Sequence, residues 1–204
     1  MLPLETKQSG NKLLPHSDLR WGVFLGEISS SKNYSKNEKK KEQHSYKIGI
    51  WNVRTLNSGG KLENLRREMQ KNEVSILGVS ELRWKGQGEL RSGDYSEYYS
   101  DGERAEKCVA IAVHKTVVRS VVKKTVYNDR IIAIKLQAQP INSLMMQGYM
   151  PTSEQEDDEV EELYDVIEKI LEEDGKGDTN NIIMGTGIVS LEMNHIGTLL
   201  DHKV

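Results

Sequence analysis

Read as apolar and polar positions, the chain changes character at Tyr46. Residues 1–45 include ISSSKNYSKNEKKKEQHS, which is rich in Ser, Lys and Asn and has no hydrophobic period. That composition predicts a disordered polar tail. The KNEKKKE run within it reads as a solvated charge run, or else as a nuclear-localisation patch.

From Tyr46 onward the pattern is that of a folded domain. YKIGIWNV alternates about Ile48 and Ile50 and predicts a strand near 47–53. TLNSGGK, with paired glycines, is a turn. KLENLRREMQKN gathers Leu62, Leu65 and Met69 on one face and predicts a helix near 61–72. VSILGVSE is an almost continuous apolar run, a strand near 74–80 buried on both faces. Residues 85–107 are dense in glycine and charge and read as loop. CVAIAVH, VVRSVVKK, RIIAIKLQ and SLMMQGY then read as four strands at hairpin-like spacing, three of them near 108–114, 130–137 and 143–149.

PTSEQEDDEVEELYDVIEKILEED predicts a helix near 154–173, with Ser153 and Glu156 as a capping box. Val160, Leu163, Ile167, Ile170 and Leu171 form its apolar stripe. NNIIMG is a last strand near 181–185. The pattern thus sets one domain over 46–190, after the tail of 1–45 and before an unrelated C-terminal tail of 191–204.

Composition narrows the class. Of 204 residues, 36% are hydrophobic and 29% charged, a water-soluble balance with a lean core. No apolar run is long enough to span a bilayer, so no membrane association is expected. A single cysteine, Cys108, excludes an intrachain disulfide and favours a reducing intracellular site, nucleus or cytoplasm. The net charge of −3 conceals an uneven distribution. Residues 47–153 carry 17 basic and 11 acidic groups, and residues 154–178 carry 2 and 13. The basic stretch suits a phosphate-rich partner such as DNA or RNA. The acidic stretch reads as the solvated face of the second long helix.

Four apolar runs end on polar side chains: Asn52, Glu81, Tyr149 and Thr186. Strands lying side by side would gather those ends at one edge of a sheet, a usual place for a site. A carboxylate directly after SILGVS is costly to bury unless paired or metal-bound. Glu81 is therefore either a ligand for a hard cation or the partner of Arg83. The histidines at 16, 44, 114, 195 and 202 have no metal-ligand spacing. Cys108 reads as a small buried hydrophobe.

KIGIWNVRTLNSGGKLENLRREM, ILGVSELRWKGQGE, NDRIIAIKLQ and GYMPTS occur in an order and spacing that resembles the endonuclease/exonuclease/phosphatase (DNase I-like) superfamily. The resemblance covers residues 46 to 185. It is closest to the apurinic-type endonuclease domain of LINE retrotransposons and the craniofacial development protein 2 group. It implies a four-layer α/β sandwich and Mg²⁺- or Mn²⁺-dependent hydrolysis of nucleic-acid phosphodiesters. It also implies that Asn52 positions phosphate and metal, that Glu81 is a metal ligand, and that Tyr149 contacts the scissile phosphate. Arg130 matches a position of the pattern, with a structural role equally open. Met150 stands where the pattern has a small residue.

MGTGIVS departs more deeply. The pattern reads GDFN or GDWN there, so Thr186 replaces an Asp and no Asn follows. Threonine carries no charge for a metal and cannot act as a base at neutral pH. A reading of the same turn as a dinucleotide-binding G-x-G-x-x-G fails at Ser190. Asp201 and His202 lie adjacent in LLDHKV, taken as a chance pair. The expectation is a partial sandwich holding the first half of the fold, with the second sheet largely missing. The chain would be a truncated, divergent endonuclease-like protein, catalytically inactive, binding a divalent cation weakly and self-associating through exposed sheet surface. The alternatives are a non-enzymatic nucleic-acid-binding module and a product without a folded role.

Overall fold

The computed structural model describes residues 21–29, 45–100, 107–138, 141–150, 157–186 and 199–202. These form two facing sheets. The first comprises β1 (Trp21–Ser29), β2 (Ser45–Asn52), β3 (Ile76–Ser80), β4 (Gly88–Ser92), β5 (Tyr95–Tyr99) and β6 (Val109–His114), in the order β1-β2-β3-β6-β5-β4. The second comprises β7 (Val121–Val126), β8 (Ile131–Leu136), β9 (Asn142–Tyr149), β10 (Thr179–Thr186) and β11 (Leu199–His202), in the order β11-β10-β9-β8-β7. Each sheet has a parallel core: β2 beside β3 in one, and β9, β10 and β11 in the other.

Strand alternation divides the apolar residues into three layers. Ile48, Ile50, Ile76 and Ile111 of the first sheet meet Ile132, Ile134, Met145, Ile182 and Met184 of the second. On the first sheet's outer face, Trp51, Leu77, Val79, Ala110 and Ala112 pack with Leu65 and Met69 of α1 (Lys61–Lys71). On the second sheet's outer face, Ile131, Ala133, Leu144, Met146 and Ile183 pack with Leu163, Ile167 and Ile170 of α3 (Asp157–Asp174). A third helix, α2 (Lys115–Val118), is a single turn after β6. The result is helix, sheet, sheet, helix. Helix α1 is also fixed by a buried fork, in which Arg66 Nε and Nη2 donate to the two carboxylate oxygens of Glu97 at 2.7 and 2.9 Å.

Several expectations are corrected. The second sheet is present as five strands, and its outer face is covered by α3. An apolar sheet face left bare by a missing layer therefore no longer supports self-association. VVRSVVKK divides at Arg119 into α2 and β7, because the pair Val117–Val118 closes a turn. The stretch read as loop over 85–107 contains the hairpin β4–β5, joined by Gly93 and Asp94. Gly93 has φ +59°, which glycine adopts without steric cost. Trp21–Ser29, inside the expected tail, pair antiparallel with β2. Leu199–His202, inside the expected C-terminal tail, pair parallel with β10. The Ser153–Glu156 capping box lies outside the described residues. No helix among the described residues is long and apolar enough to cross a membrane.

Candidate functional site

Alternation decides which side chains face the seam between the sheets. Positions 48, 50 and 52 of β2 share that face, as do 76, 78 and 80 of β3 and 145, 147 and 149 of β9. Asn52, Ser80 and Tyr149 therefore close the seam at the ends of their strands. The two sheets are tied there directly: Gln147 Nε2 donates to Ser80 Oγ at 3.0 Å, both residues fully buried.

Asn52 and Glu81 meet at this end. Asn52 Nδ2 donates to Glu81 Oε1 at 2.7 Å, and the Arg54 N–H donates to Asn52 Oδ1 at 3.1 Å. The amide is thus held from both sides. Glu81 Oε2 has no hydrogen-bond partner among the described residues. The alternative in which Glu81 pairs with Arg83 is not what forms; its partner is Asn52.

The backbone that carries these groups is strained. Among the described residues five non-glycines have positive φ, and four of them follow the ends of β2 and β3: Arg54 at +51°, Thr55 at +141°, Glu81 at +60° and Arg83 at +59°. Left-handed non-glycine residues cost on the order of 1–3 kcal/mol each and collect where function holds the chain in place. Here the two loops hold each other. Val53 N–H donates to Ser80 O at 3.1 Å, Leu56 N–H to Leu82 O at 2.9 Å, and Asn57 Nδ2 to Arg83 O at 2.6 Å. Cys108 is fully buried beneath them, with Sγ 3.4 Å from Trp84 O, as a small buried hydrophobe would be. Arg54 and Arg83 are both exposed, and neither forms an ion pair among the described residues. The loops that carry the carboxylate–amide pair thus also carry two exposed arginines, a residue type that pairs readily with phosphate.

Across the seam, Tyr149 is half-buried against the inter-sheet core. Its N–H donates to Arg130 O at 2.9 Å. Arg130 itself is buried, and its Nη2 donates to Glu159 Oε2 of α3 at 2.7 Å, which is a structural engagement. Thr186 pairs in register with Tyr149, so the position where an Asp was looked for lies next to it at the strand end. Among the described residues no three His, Cys, Asp or Glu side chains gather into a metal-holding group. Sequence reasoning put Asn52, Glu81 and Tyr149 at the ends of apolar runs, and in the structure they lie at or just after the ends of β2, β3 and β9. It missed Ser80 and Gln147, although a lone amide inside the apolar run LMMQGY is a visible anomaly.

The described residues thus form a mixed α/β fold of two facing sheets with helices on their outer faces. No family model matches the chain. It is 38% identical over 131 residues to craniofacial development protein 2 of Bos taurus, covering 64% of this chain and 22% of that protein. It is 34% identical over 173 residues to craniofacial development protein 2 of Tragulus javanicus, covering 83% and 30%. Among solved structures, humanized D. rerio TDP2 aligns with a TM-score of 0.49 at 15% identity, over 68% of this chain and 60% of that one. The chain is similar in sequence to craniofacial development protein 2 over part of that protein's length. It spans less than a third of the two curated relatives it matches.

Proposed function

We propose that this chain is a divergent endonuclease-like protein that engages a nucleic-acid phosphodiester at the Asn52–Glu81–Tyr149 end and does not cleave it unaided. The observation that carries the reading is the Asn52–Glu81 pair at 2.7 Å on interlocked, strained loops. Strain of that kind is kept where a side chain must be presented in one orientation. Glu81, with an oxygen to spare, would hold a Mg²⁺ or Mn²⁺ ion. One carboxylate fits such an ion only loosely, because Mg²⁺ keeps its waters until substrate phosphates replace them. When bound, the ion would neutralise phosphate charge. Asn52 would fix the Glu81 carboxylate, and Tyr149 would approach the phosphate from the facing sheet.

Hydrolysis needs a further group that activates water, and general-base help is worth about 10²–10⁴ in rate. Position 186, beside Tyr149, holds a threonine. That residue supplies neither charge nor a usable base, so binding without cutting is the reading. The exposed Arg54 and Arg83 favour backbone contact with nucleic acid. The experiment is fluorescence anisotropy with labelled single-stranded and duplex oligonucleotides across a salt series. Binding should weaken steeply with salt. Arg54→Gln and Arg83→Gln should each flatten the log–log slope by about 0.7–0.9, the share of one phosphate contact. An absence of binding at low salt would sink the reading.

A further inference from the structure

We propose that Gln147 is a positioning residue: its amide spans the seam and sets Ser80, and through Ser80 the Asn52–Glu81 pair, against Tyr149. The inference rests on the site reading above but reaches a residue outside it. Gln147 is fully buried in β9, two residues before Tyr149. Its Nε2 donates to Ser80 Oγ at 3.0 Å and to Gly148 O at 3.1 Å. The second acceptor, a carbonyl, fixes which end of the amide is nitrogen. Its Oε1 is buried without a hydrogen-bond partner among the described residues. A side chain selected for stability alone would not leave an acceptor unmet in an apolar seam, since an apolar group of the same shape would serve there better.

The opposite sheet is shaped to admit it. A Cβ on Gly78 would lie 1.9 Å from Gln147 Oε1 and 2.9 Å from its Cδ. Only glycine lets the amide descend far enough to reach Ser80. Ser80 is the register partner of Asn52, its carbonyl accepts from Val53 N–H, and the next residue is the left-handed Glu81. A shift of Ser80 is therefore passed to both members of the pair. The amide couples the end of β9, which presents Tyr149, to the ends of β2 and β3, which present Asn52 and Glu81.

The test is the side-chain amide resonance of Asn52 in ¹⁵N-labelled protein, read together with the thermal midpoint. In the wild type the proton directed at Glu81 should lie downfield and exchange slowly. Gln147→Met should keep or raise the midpoint while moving that resonance towards its free-amide position. Ser80→Ala, which hardly disturbs packing, should do the same if the methionine variant fails to fold. The double variant should add nothing to either. Where the wild type binds Mn²⁺, the single variants should weaken it severalfold. A folded Gln147→Met or Ser80→Ala protein with an unchanged Asn52 signal would overturn the proposal, leaving Gln147 as packing only. Failure of the wild type to bind nucleic acid would instead sink the functional reading, and the amide signal would still decide this one.

Discussion

The loops that end β2 and β3 and the anchor at the end of α3 are built on opposite principles. The loops place Arg54, Thr55, Glu81 and Arg83 in left-handed backbone and, among the described residues, leave a carboxylate oxygen and two guanidinium groups unengaged. The anchor is satisfied throughout. Asp174 accepts from Lys123 Nζ at 2.8 and 2.7 Å and from Tyr127 OH at 3.1 Å, and Lys135 Nζ donates to its backbone carbonyl at 2.8 Å. One region is held in a costly shape with spare chemistry, and the other locks a helix to a sheet with none. The contrast separates residues kept for presentation from residues kept for stability, and substitutions in the two regions should move different observables.

Asp174→Ala should have the largest effect on stability. It strips the buried end of α3 of its ties to β7 and to Tyr127. A loss of about 2 kcal/mol is expected, below the full cost of breaking a buried pair because Lys123 is half exposed. Urea titration reads the loss, and nucleic-acid affinity should not change. At the loops the sign reverses. Glu81→Gly relieves a left-handed residue at φ +60° and should be more stable than Glu81→Gln by about 1 kcal/mol. Calorimetric titration with Mn²⁺ should nevertheless find both variants poorer binders than the wild type. Equal stability of the two variants would mean that Glu81 is not strained.

The anchor should also set an acid limit to stability. Burial works against the Asp174 charge, but hydrogen bonds from Lys123 and Tyr127 and the charges of Lys123 and Lys135 outweigh it and hold the carboxyl below its ordinary value. A depressed carboxyl contributes its stability in full above its unfolded pKa, about 4, and loses it as pH falls toward the folded value. The melting temperature should therefore drop below about pH 4, and less steeply in Asp174→Asn. Burial, followed by the Asp174 contact, pushes Tyr127 up to about 12. It should be a late tyrosine in an ultraviolet titration, and its share of stability should fade as pH rises past about 10. The smallest effect belongs to Tyr149→Phe. It should alter stability by no more than about 0.5 kcal/mol while lowering oligonucleotide affinity severalfold.

The layers were legible in the sequence because their signal is periodic. Ile48 and Ile50 alternate with outward residues, and Leu163, Ile167 and Ile170 recur at helical spacing. The strand-end positions of Asn52, Glu81 and Tyr149 were legible because each ends an apolar run. The hairpin β4–β5 was not, because GELRS is exposed along nearly its whole length and carries no apolar alternation. The Gly93–Asp94 turn was its one cue. The division between two sheets was hidden as well, since β7, β8 and β9 follow β6 as further apolar runs of the same character. Nor could composition reveal that Gln147 reaches Ser80, because that contact joins residues 67 positions apart on different sheets.

The central claim, that the Asn52–Glu81–Tyr149 end holds nucleic acid without cutting it, is tested most directly by incubating the purified chain with supercoiled plasmid in Mg²⁺ and in EDTA. The expected result is a retarded plasmid that stays supercoiled under both conditions. Open circles that form in Mg²⁺, fail to form in EDTA and are lost with Glu81→Ala would contradict the claim and make Thr186 no barrier to catalysis.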